Sequence, residues 1–267
     1  MSAGPSASEP RVLLELGPIT TLTLNRPLQA NAFDVEMGFE LEAAVARISH
    51  EPGVRVVVLG GAGKHFSAGG DFAFIEENTT LPRERVWERM LRFYQMYLSV
   101  LELPVPTIAR IHGSAIGAGL CLALACDLRV AERSARLGAN FLRVGLHPGM
   151  GATLLLPHVV GPARAARLLH TGETLDGERA HALGLLSELA PDAGLVNATE
   201  HLAAQLASGA PNAARRMVAT LREPLRRSLP AVLAREAECQ ADDFAGEDVR
   251  TAIEAFRRGD KPDFSPR

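Results

Sequence analysis

Two glycine-rich segments contain residues whose types and spacing could do chemistry. They are residues 60–71 (GGAGKHFSAGGD) and residues 112–119 (HGSAIGAG). Small residues leave backbone N–H groups open to a ligand, and preorganised N–H groups at a loop or helix start can stabilise a developing negative charge. The pair therefore predicts a site built from main-chain donors, the alternative being that the glycines only permit tight turns and close packing.

Neither segment matches a nucleotide-binding loop. A P-loop has Ser or Thr after its lysine, whereas Lys64 is followed by His65. A dinucleotide-binding fingerprint that starts at Gly117 requires a glycine at the position that Leu122 occupies. Both motifs are therefore excluded.

The strands that would position these loops are short apolar runs. Residues 12–16 and 19–24 are rich in β-branched side chains and predict an antiparallel hairpin. Residues 54–59 and 107–111 predict buried strands, each leading into one of the glycine-rich segments. The repeated order of strand, glycine loop and helix predicts an α/β fold.

Helices are predicted where apolar residues recur at helical spacing. One starts after the capping residue Asp34, and another covers 84–103. Beyond residue 161 the pattern is mostly helical, with candidates at 162–170, 177–183, 195–208, 212–221, 229–241 and 248–257. We place the boundary between an α/β body and a helical region near residues 208–211.

Composition excludes several classes of protein. Of the 267 residues, 47% are hydrophobic and 22% charged, the net charge is −3, and no block of Lys or Arg suggests nucleic acid or an acidic membrane as a partner. Three cysteines without C-x-x-C spacing predict neither a disulfide framework nor a zinc site. Residues 1–10 predict a disordered tail and not a signal peptide, and we expect a cytoplasmic protein without a membrane span.

At the glycine-rich segments the chain resembles the crotonase superfamily, that is, the enoyl-CoA hydratase/isomerase family. The similarity extends well beyond the two loops and covers about nine tenths of the chain. The segments that carry it are LTLNRPLQAN (22–31), VVVLGGAGKHFSAGGD (56–71), PVPTIARIHGSAIGAGLCLALACDLRVA (104–131), VGLHPGMGATLLLPHVVG (144–161), LHTGETLDGERAHALGL (169–185) and AFRRGDKPDF (255–264).

The resemblance implies an architecture and a partner. The expected fold is a crotonase-like spiral of ββα units over residues 11–208, followed by a C-terminal helical trimerisation region over 209–267. The expected ligand is an acyl-CoA thioester, and the expected assembly is a homotrimer or a dimer of trimers. No separate cofactor and no metal are expected, because coenzyme A is part of the substrate.

The resemblance also implies roles for individual residues. The thioester carbonyl would lie between the backbone N–H groups of Ala68 and Ala118, which form an oxyanion hole. Arg26 and Lys261 are candidates for contacts to the phosphates, the alternative being solvated surface charge. The remaining candidate substrate-binding residues are Ser67, Gly69, Gly70, Asp71, Gly117 and Gly149.

The chain departs from the family pattern where hydratases carry two glutamates. The aligned positions are Cys121 and Phe141, and neither side chain can replace a carboxylate in acid–base catalysis. His147 is a candidate replacement acid or base, the alternative being a structural histidine that bonds loop backbone. We therefore expect weak or absent hydration, and isomerase, hydrolase or decarboxylase chemistry, or noncatalytic acyl-CoA binding, as alternatives.

Overall fold

The strands form two sheets in the computed structural model, which describes residues 9–264. The larger sheet has six strands in the order β1-β2-β3-β4-β6-β9, and the smaller has three in the order β5-β7-β8. The strands are β1 (Val12–Glu15), β2 (Ile19–Leu24), β3 (Val56–Gly61), β4 (Thr107–Ile111), β5 (Ser114–Ile116), β6 (Leu128–Glu132), β7 (Arg136–Gly138), β8 (Thr174–Asp176) and β9 (Glu188–Ala190).

The larger sheet confirms the predicted hairpin and buried strands. β1 and β2 pair antiparallel, and every other neighbouring pair in this sheet is parallel. Successive residues of β3 pack on opposite faces: Val57 and Leu59 belong to the main core, whereas Val56 and Val58 pack in a second cluster. A strand with both faces covered requires an unbroken apolar run, which explains the sequence VVVL.

Ten helices occur among the described residues. They are α1 (Val35–Ser49), α2 (Phe72–Asn78), α3 (Arg83–Leu98), α4 (Ala118–Ala125), α5 (Ala152–Val160), α6 (Pro162–Thr171), α7 (Gly177–Ala182), α8 (Leu195–Ser208), α9 (Pro211–Ala245) and α10 (Glu247–Arg258). Asp34 caps α1 as predicted, because its Oδ1 accepts a hydrogen bond from Met37 N at 2.8 Å. The mixed α/β fold with a helical C-terminal region is therefore confirmed.

The prediction of separate helices at 212–221 and 229–241 is wrong. α9 is a single helix of 35 residues that contains Pro224 and Pro230. Each interior proline removes one helical hydrogen bond and ordinarily breaks a helix. Here tertiary packing outweighs that cost: Leu233, Ala237 and Phe244 of α9 are buried in the main core.

A buried ion pair fastens α9 to the larger sheet. Arg222 contacts Asp127 twice, with Nε at 2.9 Å from Oδ1 and Nη2 at 2.5 Å from Oδ2. Arg222 Nη1 also donates to the carbonyl oxygens of Leu101 and Leu103, at 3.0 and 2.7 Å. The predicted boundary near 208–211 is thus crossed by strong contacts.

The short strands of the smaller sheet were not predicted. β5 and β7 have three residues each, too few to show an alternating pattern in the sequence. β5 nevertheless holds the second glycine-rich segment beside the first, since Ser67 and Ala115 form a parallel bridge. Over residues 9–264 no helix has the length and apolarity needed to span a bilayer.

Candidate functional site

A cavity of about 280 Å³ lies where the two glycine-rich segments meet the helices. Its wall is formed by the end of the first segment, the start of α4, the stretch 140–150, and side chains from α2, α3, α9 and α10. Apolar side chains predominate in the wall, and Asn140, Tyr94 and Gln240 supply the polar ones. Concave, mostly apolar sites with a few polar groups are typical of small-molecule binding.

The two glycine-rich segments run side by side at the cavity. Ser67 N donates to Ser114 O at 2.9 Å, and Ile116 N donates to Ser67 O at 3.1 Å. Gly69 has φ +98°, and a Cβ atom there would lie 2.6 Å from Ile116 O and 3.5 Å from Ala118 N. Only glycine permits this close approach, so position 69 brings the first segment next to the start of α4.

Gly70 and Ala118 each bring a backbone amide without an acceptor to the place where the two segments meet the cavity. Ala118 is the first residue of α4, where the helix itself offers no acceptor. Gly70 lies between two bonds of a parallel bridge, Phe33 N to Gly69 O and Asp71 N to Phe33 O, so its own N–H points away from Phe33. Within the described part of the chain, neither amide has an acceptor.

The prediction that Ala68 donates the first of these hydrogen bonds is wrong. Ala68 N already donates to Ala30 O at 2.9 Å, although the residue does border the cavity. An amide that is bonded to a buried carbonyl cannot also stabilise a ligand without losing that bond. Among the described cavity-lining residues of this segment, Gly70, two residues further on, is the one whose amide has no acceptor.

Asp71 and Arg26 hold the end of the first segment in place. Asp71 caps α2, with Oδ1 accepting from Ala73 N at 2.9 Å, and its Oδ2 accepts from Arg26 Nη1 at 2.9 Å. Arg26 Nη1 also donates to Ala32 O at 2.6 Å and lies 3.1 Å from Asp34 Oδ2. Two carboxylates thus neutralise a guanidinium that is only 16% exposed, and these ion pairs account for Arg26 without its predicted phosphate contact, which stays a prediction.

The other candidate binding residues divide into loop-shaping and cavity-lining positions. Ser67 is fully buried, and its Oγ donates to Asn31 O at 2.8 Å and accepts from Gly69 N at 3.1 Å, so it braces the segment and does not reach the cavity. Gly117, with φ +55°, and Gly149 line the cavity. Lys261 is exposed and follows α10, and its phosphate contact stays a prediction.

The two positions at which the resemblance implies glutamates contain no usable acid or base. Cys121 is 1% exposed, its Sγ lies 3.6 Å from Gly149 O, and burial raises the pKa of its thiol. Phe141 is buried and presents its ring to the cavity. A protonated buried thiol and a phenyl ring cannot activate water.

His147 does not meet the requirements of a replacement base. Its N–H donates to Asp243 Oδ2 at 2.5 Å, and its ring Nδ1 lies 2.6 Å from Pro148 O, where it acts as a donor to backbone. The residue is half-buried and does not line the cavity. The predicted acid–base role is therefore wrong, and the structural alternative accounts for His147.

Sequence reasoning missed a buried polar chain at the cavity. Tyr94 Oη donates to Gln240 Oε1 at 2.7 Å, and Gln240 Nε2 donates to His147 O at 2.6 Å. Burial raises the pKa of the Tyr94 phenol well above its ordinary value, so the hydroxyl keeps its proton at neutral pH. The sequence contains no signal for this pair, because its members are 146 residues apart.

Comparison with known proteins identifies the family of this chain. Residues 16–267 match the family model described as enoyl-CoA hydratase/isomerase. A probable enoyl-CoA hydratase of Bacillus subtilis is 35% identical over 248 residues, covering 92% of this chain and 95% of the relative. The short-chain-enoyl-CoA hydratase of Clostridium acetobutylicum is 30% identical, with 92% and 93% covered.

Solved structures show the same likeness in three dimensions. The crystal structure of an enoyl-CoA hydratase from Mycobacterium avium subsp. paratuberculosis K-10 superposes with a TM-score of 0.85 at 27% identity. The superposition covers 96% of this chain and 99% of that one. The chain therefore belongs to the enoyl-CoA hydratase/isomerase family of the crotonase superfamily.

Proposed function

We propose that the protein binds an acyl-CoA thioester and stabilises its enolate. The observation that carries this proposal is the pair of free main-chain donors, Gly70 N and Ala118 N, at one apolar cavity. The two amides would bind the enolate oxygen more strongly than the neutral thioester carbonyl, because hydrogen bonds to a charged acceptor are stronger. The pair of donors therefore lowers the free energy of the enolate relative to the bound thioester. Each such donor typically lowers a barrier by about 3–4 kcal/mol.

The free amides lie at the start of α4 and beside it, and this location supports the same proposal. The start of a helix carries partial positive charge, and Ala118 is the first residue of α4. The apolar wall keeps the local dielectric low, which strengthens hydrogen bonds to a developing oxyanion. Acyl carbons would occupy the cavity, and the coenzyme A end would extend to solvent, with Lys261 as a candidate phosphate contact.

The reaction that we propose does not depend on a pair of carboxylates. Among the cavity-lining residues that the structure describes there is no Asp, Glu, His or Cys. Tyr94 is the titratable group that borders the cavity, and it holds its proton firmly. We therefore expect little hydration and favour isomerase, hydrolase or decarboxylase chemistry in which substrate or solvent moves the proton.

A noncatalytic acyl-CoA binding protein is the second candidate function. The same absence of acid–base groups from the described part of the cavity wall favours it. The two functions make the same prediction for affinity and opposite predictions for turnover, so one experiment separates them.

The test is to titrate the purified protein with crotonyl-CoA and with branched, β-keto and dienoyl thioesters, recording binding and turnover together. Micromolar binding that free coenzyme A does not reproduce would support the acyl site. Turnover of any thioester would then favour the enzyme, and binding without turnover the binding protein. If no thioester binds, the proposal is refuted.

The homotrimer or dimer of trimers stays a prediction. Size-exclusion chromatography with light scattering measures the mass of the assembly directly. We expect three or six times the 28.5 kDa of one chain. A monomer would contradict the expected assembly without bearing on the cavity.

A further inference from the structure

Aromatic side chains are scarce in the chain and concentrated at one place. Phe, Tyr and Trp number thirteen among 267 residues, ten of them Phe. Seven line the cavity: Tyr94 and the phenylalanines at 72, 74, 93, 141, 244 and 256. A chain that contains only 5% aromatic residues thus places more than half of them around one space of about 280 Å³.

The inner aromatic residues are rigidly held before any ligand arrives. Phe74 and Phe93 are stacked with centroids 4.5 Å apart, and Phe93 contacts the buried Tyr97 at 4.8 Å. The Arg89 guanidinium lies over the Phe74 ring, 4.7 Å from its centroid. Because Phe93 and Arg89 already lie over the Phe74 ring, we expect a ligand to meet the electropositive edge of that ring, and this edge favours the face of another aromatic ring.

The remaining rings surround the same space from other elements. Phe141 occupies a position where hydratases of the family carry a carboxylate, and Phe244 reaches the cavity from α9. Phe72 and Phe256 also line it, yet they are 41% and 45% exposed. A ligand that covers such large, exposed apolar side chains removes their apolar area from water, which makes binding more favourable.

Charge is the second selective feature of the wall. Over residues 9–264, none of the residues that line the cavity carries a charged side chain. A carboxylate on the acyl group would lose its hydration there without gaining a partner, which is strongly unfavourable. The cavity therefore selects against dicarboxylic acyl groups.

We propose that the acyl group bound in this cavity is uncharged and carries an aromatic ring. The proposal rests on the function proposed above, since it assumes that a thioester occupies the cavity. A planar ring has few rotatable bonds to immobilise, whereas an alkyl chain loses rotamer freedom at each carbon. Edge-to-face contact then distinguishes a ring from an alkyl chain of equal size, by about 2- to 13-fold for each aromatic pair.

The experiment compares three thioesters by calorimetric titration of the wild-type protein. They are trans-cinnamoyl-CoA, trans-2-nonenoyl-CoA with the same number of acyl carbons, and glutaryl-CoA. If the ligand ring makes edge-to-face contacts with both Phe74 and Phe256, the cinnamoyl ester should bind at least about fivefold tighter than the nonenoyl ester, and we expect glutaryl-CoA to bind weakest. The nonenoyl chain offers no smaller apolar area, so burial of area alone does not produce this order.

Two variants connect the preference to the rings. Phe74→Leu and Phe256→Leu keep an apolar side chain, and each should reduce the ratio of nonenoyl to cinnamoyl Kd by at least about twofold. Phe256 is exposed, so its variant remains informative if Phe74→Leu fails to fold. Phe39→Leu is the matched control: Phe39 is 51% exposed on α1, away from the cavity, and its loss should leave the ratio unchanged.

The outcomes separate the two proposals. Nonenoyl-CoA binding as tightly as cinnamoyl-CoA, or glutaryl-CoA binding as tightly as either, overturns the aromatic acyl group while leaving thioester binding intact. An unchanged ratio in both Leu variants also overturns it. Failure of all three thioesters to bind refutes the proposed function and this inference together.

Discussion

Replacing Ala118 by proline should impair the site while leaving the fold intact. Proline removes one N–H, and Ala118 N is an orphan donor at the first position of α4, where proline is favoured. The preceding Gly117 has φ 55° and ψ −120°, the mirror image of the extended conformation that residues before proline adopt. Because glycine is achiral, that conformation tolerates a following proline, and we expect a stability change within about 1 kcal/mol.

Ala118→Pro leaves one of the two proposed donors to the thioester carbonyl, and this sets the expected loss of binding and turnover. One hydrogen bond to a neutral carbonyl is worth about 0.5–1.5 kcal/mol, so the thioester Kd should rise about 2- to 13-fold. Loss of one of two donors to an oxyanion costs about 2.7–4 kcal/mol, so any turnover should fall about 10²- to 10³-fold. Ala118→Gly keeps the N–H and is the matched control.

Infrared difference spectroscopy of a ¹³C-labelled thioester carbonyl measures the hydrogen bonds directly. Donation from two amides lowers the stretching frequency, and Ala118→Pro should remove part of that shift while Ala118→Gly preserves it. The proline ring adds a carbon at the amide nitrogen, so a backbone ester at position 118, made with lactic acid, distinguishes lost donation from added bulk. If the ester variant retains the wild-type shift and Kd, then Ala118 N does not bind the carbonyl.

Three further predictions concern stability and reactivity. Asp127→Ala leaves buried Arg222 without its carboxylate and should lower the free energy of unfolding by about 3–5 kcal/mol in urea titrations, whereas Glu102→Ala, which breaks the exposed pair with Arg226, should cost less than about 1 kcal/mol. The hydrogen bond from Arg92 lowers the pKa of Glu42, so this pair stabilises the fold above the ordinary carboxyl pKa and ceases to do so as pH falls through the lowered one. The free energies of unfolding of wild type and Glu42→Gln should therefore differ by up to about 1 kcal/mol at pH 7 and converge once the pH lies below the lowered pKa, and a constant difference would contradict the assignment. Cys121 and Cys126 are buried, and burial raises the pKa of Cys121, and that of Cys126 to about 12, whereas Cys239 is partly exposed although burial raises its pKa as well. Prolonged exposure to iodoacetamide at neutral pH should therefore label Cys239 alone in the folded protein and all three cysteines after denaturation, as counted by mass spectrometry.

Much of the fold could be predicted because the patterns behind it are local. The hairpin follows from two short runs rich in β-branched residues, β3 from one apolar run, and α1 from the capping Asp34 and helical spacing of apolar residues. Each of these signals lies within the element that it predicts or directly beside it. The continuity of α9 could not be predicted, because Pro224 and Pro230 are local breakers that only distant packing overrides.

The site was predictable to the level of the segment and not of the atom. Both glycine-rich segments were expected to carry donors, and both border the cavity. Whether Ala68 or Gly70 has the free amide depends on Ala30 and Phe33, about forty residues earlier in the chain, whose pairing with the segment no local pattern reveals. Phe141 and the buried Tyr94 likewise acquire their positions only when distant elements pack together.

The helices α9 and α10 also determine when the cavity is completed during protein synthesis. The wall of the cavity includes Gly70, which is synthesised early, and Gln240, Phe244 and Phe256, which are synthesised much later. A nascent chain that has emerged only to residue 239 therefore has the donor segments but exposes an open aromatic surface to water and to chaperones. For the same reason, a chain that ends after α8 should expose apolar surface and aggregate, rather than remain soluble with a reduced free energy of unfolding.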